Sequence, residues 1–270
     1  MSRTADTIGS GLMFWVWPDE LLTQLGTTPS GQSIATINEQ AGGSSWGQPT
    51  TAQQPLWQPG PGNGLTESWL EFEPAGSGMG MDRASNLSDA TGQVTIMAIA
   101  LIPSDTSANY AKVLSGDVGG FDCYRNQSTV TQQLDKAGAV SIGASSVITP
   151  SGALGTWHIL TITYDGTTAK FYDNSGLLNS VTNVQSISGS HAYAIGYSVG
   201  GGFAAQTYVA EVAVWDNVLL STDLENARSG MSDRSGVTIS DYVPASGGLP
   251  IIVGFRPVIA QQAVQRASFY

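Results

Sequence analysis

The sequence predicts an all-β protein, a two-sheet antiparallel sandwich with one short helix and a C-terminal extension. Three observations lead there. Apolar and polar side chains alternate with period two over residues 68–73 and 157–164, the spacing of half-buried strands. Turn formers are dense, with 33 glycines and 12 prolines among 270 residues, which breaks the apolar runs into strand-sized pieces. Helix signals are convincing at one place only, near residue 222.

The elements follow in chain order. Residues 1–10 are polar and read as a flexible arm, and residues 12–17 open the ordered region as a strand apolar on both sides. Residues 26–66 hold few alternating runs and many Gly, Pro, Gln, Ser and Thr, and read as long loops over a scaffold. Ser68, Leu70 and Phe72 alternate with Trp69, Glu71 and Glu73, and Pro74 ends that strand. The run 94–102 is apolar but for Thr95; it is too short for a bilayer and reads as a strand buried on both faces. Further strands are expected near residues 112–114, 121–125, 129–134 and 140–142.

The stretch 157–227 is the most informative. His158, Leu160, Ile162 and Tyr164 alternate with Ile159, Thr161 and Thr163, predicting one wetter face. Asp165-Gly166 makes the hairpin, residues 169–172 return as its partner strand, and residues 173–176 form the next turn. Later, Ala210, Val212 and Val214 share one face, with Glu211, Ala213 and Trp215 on the other. Thr222 and Glu225 have capping-box spacing, and Gly230 offers the stop. Residues 236–248 form a Gly, Ser and Pro-containing connector, and 249–270 an apolar extension.

The length suits one main domain, expected over residues 11–236, with 1–10 as the arm and 237–270 as a C-terminal extension. A net charge of −11 without a basic cluster argues against nucleic acid as a partner. No run is long enough for membrane insertion. Cys123 is the single cysteine, so no intramolecular disulfide and no cysteine-based metal site is expected; it reads as a small apolar residue.

The residues WHILTITYDGTTAKFYDNSG, then AIGY, then YVAEVAVWDNVLLSTDLENA resemble the closing half of a concanavalin A-like, laminin G-like jelly roll. Residues 11–42, followed by the W-x-x-P-T segment at 46–55, are similar to the opening of such modules in bacteriophage and bacterial surface proteins. One departure is the turn after Tyr172, longer here than the family's Y-x-D-G.

Glu71 and Glu73 project from one strand face, but E-F-E-P lacks the central Asp and third acid of the E-x-D-x-x-E that hydrolases of this fold carry. The two histidines, His158 and His191, lie in no nucleophile motif. No catalytic residue and no enzyme activity is therefore expected. Asp165, Asp173, Asn174, Asp216 and Asn217 sit in turns; the resemblance makes calcium a candidate ligand, whereas turn chemistry accounts for them without metal. Four residues are candidates for glycan contact: Trp46 and Trp57 as aromatic loop residues, and Glu211 with Trp215 as an acceptor beside a flat apolar ring. The tail has two readings. It either completes the sandwich as a last pair of strands or docks in a neighbouring subunit through Phe255, Arg256, Phe269 and Tyr270.

The resemblance, the absence of a secretory signal in MSRTADTIGSG and the extra tail imply a non-enzymatic structural protein on the surface of a phage or phage-like particle. As a head decoration, fibre or spike it would contact other virion proteins and its own copies, and bind cell-surface polysaccharide. The alternatives are a secreted or surface-bound bacterial carbohydrate-binding lectin and, third, a glycoside hydrolase.

Overall fold

Residues 94–101 and 157–164 form the centre of the molecule, because every side chain in both runs is buried. The computed structural model describes residues 11–19, 31–72, 79–101, 110–126, 131–136, 140–144, 155–183, 185–187, 189–197, 199 and 206–240. The first third of the chain forms β1 (Leu12–Val16), β2 (Gln32–Ser33), β3 (Thr36–Asn38), β4 (Ser45–Gly47), β5 (Leu56–Gln58), β6 (Trp69–Phe72), β7 (Met81–Arg83) and β8 (Leu87–Asp89). Next come β9 (Val94–Leu101), β10 (Tyr110–Gly116), β11 (Phe121–Asn126), β12 (Thr131–Lys136) and β13 (Val140–Ala144). The last part holds β14 (Trp157–Tyr164), β15 (Thr168–Asp173), β16 (Gly176–Thr182), β17 (Gly189–His191), β18 (Tyr193–Ile195), β19 (Thr207–Trp215) and the helix α1 (Ser221–Ser235).

Two large sheets result. One runs β16-β15-β14-β9-β19-β6-β5-β2, with β1 added beside β19; the other runs β13-β12-β11-β10-β18-β7-β4-β3. Both are antiparallel and make the expected jelly-roll sandwich. Ile96, Ala98, Leu160, Ile162, Val212 and Val214 of the first sheet meet Phe121, Cys123, Leu134 and Ile195 of the second in the core between them. A second apolar cluster lies on the opposite face of the first sheet, where Met97, Ile99, Ile159, Ala213 and Trp215 are covered by Leu224, Ala227 and Met231 of α1.

This second layer corrects two expectations. β14 has no wetter face, since Thr161 and Thr163 are buried with the rest, and its outer side lies within the layer that α1 completes. Ala210 groups with Ala213 and Trp215 and not with Val212 and Val214. A β-bulge between Val209 and Glu211 inserts one residue against β9 and so shifts the alternation.

Residues 31–58 also differ from the expected loops. They supply β2 and β5 to one sheet and β3 and β4 to the other, in strands of two or three residues, too short for alternation to reveal. The 157–176 hairpins form as expected. Asp165 Oδ1 accepts hydrogen bonds from the Thr167 and Thr168 amides at 2.8 and 2.6 Å.

The helix forms without the capping box. Leu220 is its N-cap, with no side-chain cap bond, and Gly230 lies inside it. Its stop is Gly236, left-handed at φ 77° with its amide donating to Ser232 O, a position that favours glycine. Packing of Leu224, Ala227 and Met231 fixes the helix in place of the cap. Val237 and Ile239 continue into the same apolar cluster, so ordered packing runs beyond residue 236. The assembly candidates Phe255, Arg256, Phe269 and Tyr270 lie outside the described residues.

Candidate functional site

The four candidate glycan contacts are all interior. Trp46 is fully buried on β4, with its ring 5.1 Å from Phe14 and its Nε1 donating to Glu39 Oε1 at 2.9 Å. Trp57 on β5 is buried in the core between the sheets. Trp215 lies in the cluster beneath α1, and Glu211 is 1% exposed on the same strand. None offers a face to a sugar, which corrects their assignment as ligand contacts. The reason is shared: the short strands of residues 31–58 turn their tryptophans inward, and the helix layer covers the outer face of β19.

Glu211 instead belongs to a sealed acid centre. Arg234 of α1 donates from Nη2 to Glu211 Oε1 at 2.6 Å, and its Nε lies 3.7 Å from Glu67 Oε1. Its guanidinium also sits over the Trp15 ring, 5.4 Å from the centroid. The C-terminal turn of α1 closes over this centre: the Thr66 amide donates to Ser235 O at 2.9 Å, and the Thr66 hydroxyl to Arg234 O. Glu67 is 2% exposed. Burial, with the Glu211 charge adding to it, pushes its carboxyl up to about 9, while Arg234 acts in the opposite direction. Two carboxyls sharing one guanidinium resemble an acid/base pair in composition, but no substrate can reach them.

The other candidates are likewise accounted for locally. Glu71 Oε2 accepts from Gln58 Nε2 at 2.8 Å, and Glu73 lies outside the described residues. His158 is buried, with Nε2 3.0 Å from Thr156 Oγ1. His191 Nδ1 lies 2.9 Å from Asp117 Oδ1. Burial pushes the Cys123 thiol up to about 12, which favours the neutral form of this core residue. Asp165 and Asp173 bind the amides of their own turns. Asn174 caps the end of β14, accepting from the Ile159 amide at 2.8 Å and donating to Trp157 O at 3.0 Å. Among the described residues, no group of three or more His, Cys, Asp or Glu side chains is placed to hold a metal.

An open cleft of about 290 Å³ lies at one rim of the sandwich. One wall is residues 11–13 at the start of β1, the other is Arg83 with residues 86–88 around the β7–β8 turn, and Asp216 follows β19. Antiparallel pairing brings these distant segments together: the Asp216 amide donates to Gly11 O at 2.9 Å, and Leu12 stands opposite Trp215. Gly11, at φ 90°, lets the chain pass so close that a Cβ there would lie 2.3 Å from Asp216 Oδ1.

The Arg83 guanidinium is held in place. Nε donates to Glu39 Oε1 at 2.6 Å, Nη2 to Glu39 Oε2 at 2.9 Å and Nη1 to Ser85 O at 2.7 Å. The Asp216 carboxylate, by contrast, makes no hydrogen bond or ion pair among the described residues. Asn86 and Ser88 are exposed, and Leu12 and Met13 are partly buried. The cleft therefore combines an open acceptor, an amide and a hydroxyl in a mostly polar lining, with Leu12, Met13 and Leu87 beside them. Asp216 was visible in the sequence as a turn acid, but no spacing signal links it to Asn86 or Ser88.

Comparison with known proteins agrees with the architecture. A family model described as the concanavalin A-like lectin/glucanases superfamily matches residues 81–225. No curated protein matches the chain in sequence. Among solved structures, a mutant of HCR/D is similar at TM-score 0.56 and 12% identity, over 84% of this chain and 53% of its own. The binding domain of Paraclostridial Mosquitocidal Protein 1 is similar at 0.56 and 11%, over 82% and 52%. Trypanosoma rangeli sialidase in complex with sialic acid is similar at 0.50 and 12%, over 83% and 33%. The chain thus spans about half the length of the first two structures, and at such identities the likeness is one of fold.

Proposed function

We propose a function from one premise: this chain belongs to the concanavalin A-like lectin/glucanase superfamily. It acts as a non-enzymatic glycan-binding module, and the rim cleft is where it holds sugar. The observation that carries this reading is the Asp216 carboxylate, open beside Asn86 and Ser88 in a mostly polar cleft that Leu12 and Met13 also line. Sugar hydroxyls donate to such an acceptor, and the C–H face of a ring packs on apolar side chains. Absence of catalysis is supported by Glu67 and Glu211 being buried under α1 and by Glu71 being engaged with Gln58.

The module is displayed on the surface of a phage or phage-like particle. Support for this comes from the resemblance of residues 11–42 to phage and bacterial surface modules and from the apolar tail carrying Phe255, Arg256, Phe269 and Tyr270, through which it would contact virion proteins and its own copies. A glycan array with the wild-type chain and Asp216→Asn tests the binding. Binding to at least one glycan class that the substitution weakens about tenfold is expected, a loss of about 1.4 kcal/mol. An array on which the wild-type chain binds nothing refutes it. Release of sugar from any bound polysaccharide would refute the non-enzymatic reading, and absence of the protein from purified particles the virion placement.

A further inference from the structure

Resting on that reading of the cleft, we infer that its ligand is an uncharged hexose unit and that carboxylated sugars are turned away. The argument is one of charge. Among the described residues Arg83 is the single cation lining the cleft, and its guanidinium is committed to Glu39, to Ser85 and, from Nη1, to Asn86 O at 3.2 Å. Its side chain is 5% exposed and that of Glu39 is 0% exposed. To grip a sugar carboxylate through both of its oxygens, the fork would have to release Glu39, leaving a buried charge without its partner, which is strongly unfavourable. Glu39 is also anchored by Trp46 Nε1 and the Ser44 amide, so the pair is held from both sides.

The opposite wall is negative. Asp216 lines the cleft, with its Oδ1 beside Gly11. A bound carboxylate would meet the Asp216 charge and, among the described residues, no cation other than the Glu39-bound Arg83, on a chain whose net charge is already −11. An uncharged ring meets complementary groups: its hydroxyls donate to Asp216 and exchange hydrogen bonds with Asn86 and Ser88, beside Leu12 and Met13. A volume of about 290 Å³ is at the low end for ligand sites, which suits one sugar unit better than a long chain segment.

The experiment is a titration of the full chain with three oligosaccharide sets differing only in the terminal unit: neutral hexose, its uronic acid counterpart, and its 2-amino counterpart. The neutral set is expected to bind at least about tenfold more tightly than the uronic set at low salt, with the gap shrinking as salt screens the acids. Asp216→Asn should weaken the neutral set and narrow the gap, with Asn86→Ala as a second variant that weakens binding while leaving the acid in place. Equal or tighter binding of the uronic set overturns the inference while leaving the glycan-binding reading intact. Tighter binding of the charged amino set overturns it as well. If all three sets fail to bind while a glycan array is positive, the cleft is the wrong place for the hexose and the inference falls; if the array is also blank, the glycan-binding reading falls with it.

Discussion

The acid centre beneath α1 and the cleft at the rim use the same side-chain chemistry under opposite solvent conditions. In the first, Glu67 and Glu211 share Arg234 and are almost fully buried. In the second, Glu39 takes up Arg83, and Asp216 remains open to the cavity. Carboxylates enclosed by a helix hold elements together, whereas a carboxylate left beside a cavity can bind. Solvent access, set by which layer covers which sheet face, separates the two roles.

The largest expected effect comes from breaking the sealed centre. Arg234→Met leaves Glu211 and Glu67 buried without their guanidinium and should cost about 3–5 kcal/mol in urea unfolding; a cost below about 1 kcal/mol would mean the centre is solvated and the contrast false. Opening the other side of the comparison, Asp216→Asn should leave unfolding within about 0.5 kcal/mol of wild type and lower glycan affinity about tenfold. A stability loss as large as that of Arg234→Met would make Asp216 a structural residue.

The pH dependence of stability sharpens the contrast further. Between the ordinary carboxyl value of 4.5 and about 9, the unfolded chain has released the Glu67 proton while the folded chain retains it. The stability this group contributes is therefore full below 4.5, falls as pH rises through that window and is lost above about 9. Glu67→Gln removes the titrating group, so its melting temperature should decline less between pH 5 and pH 9 than that of wild type; parallel declines would show that Glu67 does not titrate in this range. The smallest effect is expected for Glu71→Gln, which keeps a partner for Gln58 and should change neither sugar binding nor any turnover of polysaccharide.

The scaffold was legible where strands are long. The runs 94–101 and 157–164 declare themselves by length and apolarity, and Asp165-Gly166 by its turn chemistry. What escaped was governed by contacts between distant segments. Trp46 and Trp57 looked like loop aromatics because β4 and β5 are three residues each, and only their pairing with β7 and β6 turns them inward. Glu211 looked like an exposed acceptor because alternation cannot register a bulge or a covering helix. The cleft escaped for the same reason, since residues 11–13, 86–88 and 216 meet only through the pairing of β1 with β19 and the packing of the β7–β8 turn.

The central claim, that sugar is held at the rim and not on the tryptophans or Glu211, is tested most directly by amide chemical-shift mapping during titration with a neutral hexose oligosaccharide. The account predicts saturable shifts concentrated at residues 11–13, 83, 86–88 and 216, whose midpoint moves to about tenfold higher ligand concentration in Asp216→Asn. Saturable shifts centred on another surface, with these residues unmoved, would contradict it.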